Sequence, residues 1–277
     1  MFKFKHLSLL SIAFSAAWLF APAIANSQPK PWFQETIDIK LGANFAFHNT
    51  NFEVTEPSGR TVTVDFEDDL NVDEFSVEPN VEFRWRFTKN KKHRLMVSYF
   101  GIFRDGTTNT DFDLDLGGGV VIPVSTSTST EFSFNVVDVS YGYSLLLDEK
   151  KELGLFAGLD FIVVDLRFKA AIAGVDTRGR VADNFKFPFP TVGAYFDYAF
   201  TERLALQTKF QAFGLSVGDV SGAIFRGNLR LQHNTFDHVG FYAGFELLGM
   251  TASVDVDSLS DLKNFTYGPS VGLAVRF

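Results

Sequence analysis

The chain has 277 residues, a formal charge of −8 and no cysteine, so disulfide frameworks, thiolate metal sites and cysteine nucleophiles are excluded. The acidic balance argues against a nucleic-acid partner. Phenylalanine occurs 33 times, an aromatic excess that Leu- and Ala-rich helices do not accompany.

At the start, Lys3 and Lys5 precede an apolar stretch from Leu7 to Phe20, and Ala23-Ile24-Ala25 follows as a small-x-small site. That order predicts a secretory signal peptide over residues 1–25, with the folded domain over 26–277. The apolar core is shorter than the ~20 residues a membrane helix needs, and Pro22 interrupts it. Without Lys3 and Lys5, 23 basic and 33 acidic residues remain, a charge of −10. No later segment is long and apolar enough for a spanning helix.

Beyond residue 36 the hydrophobic pattern has period two, the signature of strands. Ile37, Ile39, Leu41, Ala43, Phe45 and Phe47 alternate with Asp38, Lys40, Gly42, Asn44, Ala46 and His48. Phe75, Val77, Pro79, Val81, Phe83, Trp85 and Phe87 alternate with Ser76, Glu78, Asn80, Glu82, Arg84 and Arg86. Weaker repeats cover Leu95–Phe103, Val137–Leu145, Leu153–Val163, Pro190–Phe200, Leu204–Phe210, Phe225–Leu231 and Val239–Leu247. The last strand alternates from Phe265 to Phe277. Roughly ten strands result, with eight or twelve if one hairpin is split or merged.

A soluble sandwich also shows period two. Three features favour a closed, antiparallel, up-and-down transmembrane β-barrel. Aromatics gather at the strand ends: Trp85, Phe87, Phe196, Tyr198, Phe200 and Phe277 at one, and Phe45, Phe47, Phe75, Phe103 and Phe265 at the other. The polar face mixes small residues with charges of both signs, as a narrow lumen does. Connections alternate in length. Thr88–Lys92, Asp148–Lys151, Thr201–Arg203 and Asn234–Asp237 are short turns, while long loops are expected near Thr50–Glu74, Asp105–Thr130 and Lys169–Phe187. Val217–Val220 breaks this alternation.

The inward set is balanced. Asp38, Glu78, Glu82, Asp138, Asp160, Asp197 and Glu246 face Lys40, Arg84, Arg86, Arg94, Lys209, Arg226, Arg230 and Arg276. Isolated charges away from water are costly, so an internal salt-bridge plug is expected, with a thin polar channel as the alternative. A frame shift would turn Glu78, Glu82, Arg84 and Arg86 into lipid together, which fixes the register of that strand.

Tyr267-x-Pro-x-Val271-x-Leu273-x-Val275-x-Phe277 resembles the C-terminal assembly signal of bacterial outer-membrane barrels. The chain also resembles, by architecture, the broad group of small OmpA-like barrel domains. The resemblance implies recognition by the barrel-assembly machinery, outer-membrane lipid and lipopolysaccharide as surroundings, and a place in the cell outer membrane of a Gram-negative-type bacterium. It implies no cofactor and no catalytic motif.

Candidate chemistry is sparse. Asp68 and Asp69, together with Asp111, Asp113 and Asp115, are carboxylates able in principle to hold Ca²⁺, but they lack a full calcium-loop spacing and suit a solvated acidic rim. Asp255 and Asp257 form a similar pair. His48 is inward-facing near the loop end and could serve a lipid hydrolase as general base, but no sequence feature supplies its nucleophile. Gly117–Gly119 has neither the basic neighbour nor the following helix of a phosphate cradle and reads as a hairpin tip. The function expected is a structural or surface-interaction barrel rather than an enzyme.

Overall fold

The structure, a computed structural model, describes residues 35–55, 61–109, 114–115, 121–122, 127–172, 175–217, 220–256 and 259–277. The stretch expected to be a signal peptide (1–25), Asp111, Asp113 and Gly117–Gly119 lie outside the described residues, and Asp115 is described as backbone only.

Thirteen strands are present among the described residues: β1 (Ile37–Thr55), β2 (Thr61–Asp65), β3 (Phe75–Arg86), β4 (His93–Asn109), β5 (Leu114–Asp115), β6 (Val121–Ile122), β7 (Ser127–Leu147), β8 (Lys151–Ile172), β9 (Val175–Ala199), β10 (Leu204–Val217), β11 (Val220–His233), β12 (Val239–Val256) and β13 (Leu259–Arg276). Ten of them form the barrel wall in chain order, each antiparallel to the next, and β13 closes onto β1. Closure leaves no open edge, so backbone N–H and C=O groups are satisfied within the wall. Asp38 pairs with Arg276 and Lys40 with Ala274 across the closing seam.

The pleat sorts the residues as the alternation predicts. Leu41, Val81, Leu155, Leu229 and Val271 face outward and are 38–54% exposed. The polar partners of these strands are buried inside. At the short-turn end Trp85, Phe87, Tyr141, Tyr143, Phe200 and Phe277 ring the outer wall, and at the other end Phe75, Phe103 and Phe265 do so. Such aromatic girdles belong at the two interfaces of a bilayer.

The long loops expected at Lys169–Phe187 and Asp105–Thr130 are largely strand. β8 and β9 pair out to Ile172 and Val175, and β4 and β7 pair out to Asn109 and Ser127. Hydrophobic alternation fades there, yet the ladder continues, since an extended backbone needs partners wherever it runs. The short β10–β11 connection at Val217–Val220 is confirmed by their pairing.

The short turns are tied locally. Asp148 Oδ1 accepts hydrogen bonds from the backbone N–H groups of Lys150 and Lys151, each at 2.9 Å. These bonds, with the Lys151 ammonium, favour the carboxylate and lower its pKa, the Lys150 N–H contributing most. A lowered folded pKa means that the turn is supported above the ordinary aspartate value and loosens as pH falls through the lowered one. The amide resonances of Lys150 and Lys151 should therefore titrate together, with a midpoint below the ~3.9 of a free aspartate; a midpoint at or above that value would remove these bonds from the turn.

Candidate functional site

The lumen is the concentration of polar chemistry, and it is divided into two unlike halves.

The half nearer the short turns is ionic. Arg86 makes a bidentate pair with Glu152 at 2.8 and 2.6 Å, and neither side chain is exposed. Arg94 lies 3.9 Å from the same carboxylate and stacks on Tyr195. Ser144 donates to Glu152. Above this floor, Asp38 receives Arg84 at 2.8 Å and Lys40 at 3.2 Å, and Arg84 reaches Asp197 at 3.4 Å. Arg230 links Glu82 at 2.7 Å to Glu246, and Arg226 approaches Glu246 at 3.9 Å. On the facing wall Asp138 and Asp160 are direct cross-strand partners; Lys209 lies 3.4 Å from Asp138, and Gln211 donates to Asp160 at 3.3 Å. Arg276 is buried at the seam.

The fifteen charges assigned to the lumen from sequence, from Asp38 on β1 to Arg276 on β13, lie on the inward face. The alternation missed Glu152. It follows directly on the Asp148–Lys151 turn, but it shares parity with inward Asp160 on β8, and that parity is the signal that could have found it. The space left among these side chains is a cavity of about 60 Å³ beside Asp38, Lys40, Arg94, Asp197 and Arg230. It has room for a few waters, well below the ~300–1,000 Å³ of a small-molecule site.

The half nearer the loops is apolar, which the sequence reading did not anticipate. Phe52, Phe100, Ile102, Phe132, Phe134, Val136, Ile162, Leu166, Leu248 and Met250 point inward and are buried. Barrel interiors are ordinarily polar. Here the apolar lining is covered by the β1–β3 connection, which folds into the mouth. Phe66 stands edge-on to Phe52 at 5.3 Å and to Phe132 at 5.7 Å, and Leu70 and Val72 fill beside it. The acidic loop expected to project at Thr50–Glu74 is therefore a lid, because it carries enough apolar surface to be drawn out of water.

The lid is held at its polar edge. Arg104 pairs with Glu67, donates to Thr50 Oγ1 at 2.9 Å and to the Asp73 carbonyl at 2.8 Å. The Thr50 N–H donates to Glu67 at 2.8 Å. Val72 bridges to Gly106, where a Cβ would come within 2.3 Å of the Asn71 carbonyl oxygen, so only glycine admits the lid this closely. Asn71 takes the left-handed backbone, φ 51°, that Asn tolerates best after Gly.

Of the candidate metal ligands, Asp69 accepts the Asp65 N–H at 2.8 Å, while Asp65 accepts those of Glu67 and Asp68 at 2.9 Å each. These carboxylates cap the lid's own turn, and Asp68 points to solvent. No group of three His, Asp or Glu residues in ligating arrangement occurs among the described residues.

His48 sits between the two halves with no exposed side-chain surface. Its Nε2 lies 2.8 Å from Ser76 Oγ and 3.4 Å from Glu78, and its Nδ1 lies 3.0 Å from Thr266 Oγ1. The fold thus supplies a serine that sequence could not. The arrangement departs from a hydrolytic triad, in which the acid holds Nδ1 and leaves Nε2 to the serine. Here both Ser76 and the acid meet Nε2, beneath the lid. The group cross-links β1, β3 and β13.

The C-terminal residues Tyr267, Val271, Leu273 and Val275 lie on the outer wall of β13, and the β1 partners of all four are likewise odd-numbered outward residues.

No family model and no curated relative matches the chain. Among solved structures, the outer-membrane protease OmpT from Escherichia coli superposes with a TM-score of 0.54 at 12% identity, covering 87% of this chain and 97% of that one. The translocator domain of the autotransporter NalP from Neisseria meningitidis gives 0.40 at 9% identity, covering 98% and 96%. The toluene transporter TodX from Pseudomonas putida gives 0.37 at 9%, covering 90% and 92%. The chain has the outer-membrane β-barrel fold: all-β, closed, with ten antiparallel wall strands. At 12% identity the likeness to OmpT is one of fold alone.

Proposed function

We propose that this protein is an exported outer-membrane barrel held closed, with a structural or surface-contact role rather than solute transport. On this reading the short turns lie in the periplasm and the extended hairpins outside, in contact with lipopolysaccharide. The alternating last strand serves recognition by the barrel-assembly machinery, as in the OmpA-like group. The observation that carries the proposal is double closure: paired charges fill one half of the lumen and an inward-folded lid fills the other. A solute path would need both to open. The barrel is proposed to be non-catalytic, because His48 is buried with its Nδ1 held by a threonine.

Single-channel recording on refolded protein tests this. Heat-modifiable gel migration without steady current is the expected result. Heat-modifiable migration with steady current would overturn closure and make Lys209 and Arg230 selectivity determinants.

A further inference from the structure

Charge is unevenly spread around the short-turn rim. The β3–β4 and β7–β8 turns are neighbours, joined by the Ser144 N–H donating to the Lys92 carbonyl at 2.9 Å. They carry five lysines. Two are engaged: Lys91 with Thr36 and Lys151 with Asp148 at 3.9 Å. Lys89, Lys92 and Lys150 have no ion-pair partner among the described residues; of the turns' two carboxylates, Asp148 is taken by Lys151 and the backbone N–H groups of Lys150 and Lys151, and Glu149 is exposed. The turns at residues 200–203 and 234–238 instead carry Glu202 and Asp237 against Arg203.

On the outer wall next to the lysines lies a continuous set of rings. Trp85 meets Phe87 at 5.6 Å, Phe87 meets His93 at 6.2 Å, and His93 meets Tyr143 at 5.0 Å. Tyr141 OH lies 2.6 Å from His93 Nδ1. Trp85, Phe87, Tyr141 and Tyr143 are 38–48% exposed on the face that an outward pleat turns to lipid. The opposite sector also has an exposed ring, Phe236 in the β11–β12 turn. The lysines, then, distinguish the first sector.

We propose that this sector is a binding site for an anionic phospholipid of the periplasmic leaflet. The phosphate is met by the ammonium groups of Lys89, Lys92 and Lys150, and the glycerol and upper acyl chains lie on the rings of Trp85, Phe87 and Tyr141. Rings with polar tips sit at headgroup level, and a lysine beside an anionic surface contributes roughly a factor of five in affinity. The site rests on the membrane reading above, and its test separates the two.

The chain has three tryptophans, Trp18, Trp32 and Trp85. With Trp18→Phe and Trp32→Phe, Trp85 is the only emitter. The refolded protein is placed in mixed vesicles containing either brominated phosphatidylglycerol or brominated phosphatidylcholine at equal mole fraction. Quenching should favour phosphatidylglycerol by about fivefold or more in relative binding. The preference should fall toward one in Lys89→Gln/Lys92→Gln/Lys150→Gln, whose positions lie in turns outside the wall strands, and in high salt. A reporter in the β11–β12 turn, Phe236→Trp with Trp85→Phe, should show no preference. Equal quenching of Trp85 by both lipids would overturn the site and leave the barrel in the membrane. No quenching by either would overturn the membrane reading and the site with it.

Discussion

Glu152→Leu is expected to lower the unfolding free energy of the barrel by about 3–5 kcal/mol, the cost of removing one partner from a buried ion pair. Glu152 has no exposed surface, accepts hydrogen bonds from Arg86 and Ser144, and lies 3.9 Å from the Arg94 guanidinium. Its loss leaves two buried guanidinium groups facing one another without an anion, each with donors that no leucine can satisfy. Adding Arg86→Met to that variant should restore much of the loss, because the burden lies in the orphaned charge and not in the missing attraction. Denaturant unfolding in lipid vesicles at fixed pH measures all four members of the cycle. If Glu152→Leu stays within about 0.5 kcal/mol of the parent, the floor is solvated and the ionic closure of the lumen fails.

Phe66→Ala should detach the lid while leaving the barrel folded. Phe66 is fully buried, and its ring fits edge-on between Phe52 and Phe132. Truncating such a side chain costs about 3–5 kcal/mol. The lid is one connection whose apolar residues dock on an already closed wall, so the loss falls on local opening rather than on the hydrogen-bonded ladder. Protease cleavage within residues 66–74 should accelerate roughly 10²- to 10³-fold, following the population of the opened lid, while heat-modifiable migration is retained. Current should stay absent, because the Arg86–Glu152 and Arg230–Glu82 layers still fill the lower half. Cleavage at the parent rate would mean that the lid does not depend on this ring. Current through Phe66→Ala alone would mean that the ionic half does not close the lumen.

Much of the wall of this barrel was legible in the sequence. Alternation over Phe75–Phe87 identifies both faces of β3, since a strand has only two faces and Arg84 or Arg86 turned to lipid would cost kilocalories. The same logic placed Asp38, Lys40, Asp138, Asp197 and Glu246 inside. Sequence did not determine how those charges pair. Arg84 joins Asp38, 46 residues away, to Asp197, 113 residues away, and such partners are fixed by closure and stagger rather than by local spacing.

The apolar half of the lumen was beyond sequence for a different reason. From Tyr99 to Phe103 both faces of β4 are apolar apart from Gly101, so period two cannot tell lipid from interior. Likewise Phe66, Leu70 and Val72, set among Glu67, Asp68, Asp69 and Asp73, resemble a solvated acidic loop until the mouth that accepts them exists. The sequence by itself determined the ten wall strands in outline, the faces of those that alternate clearly and the inward charges other than Glu152, because backbone geometry and the dielectric contrast between lipid and lumen act on each residue separately. Only the tertiary structure decided which charges meet, that Ser76 reaches His48, and that a loop closes the barrel, because those depend on surfaces assembled from strands far apart in the chain.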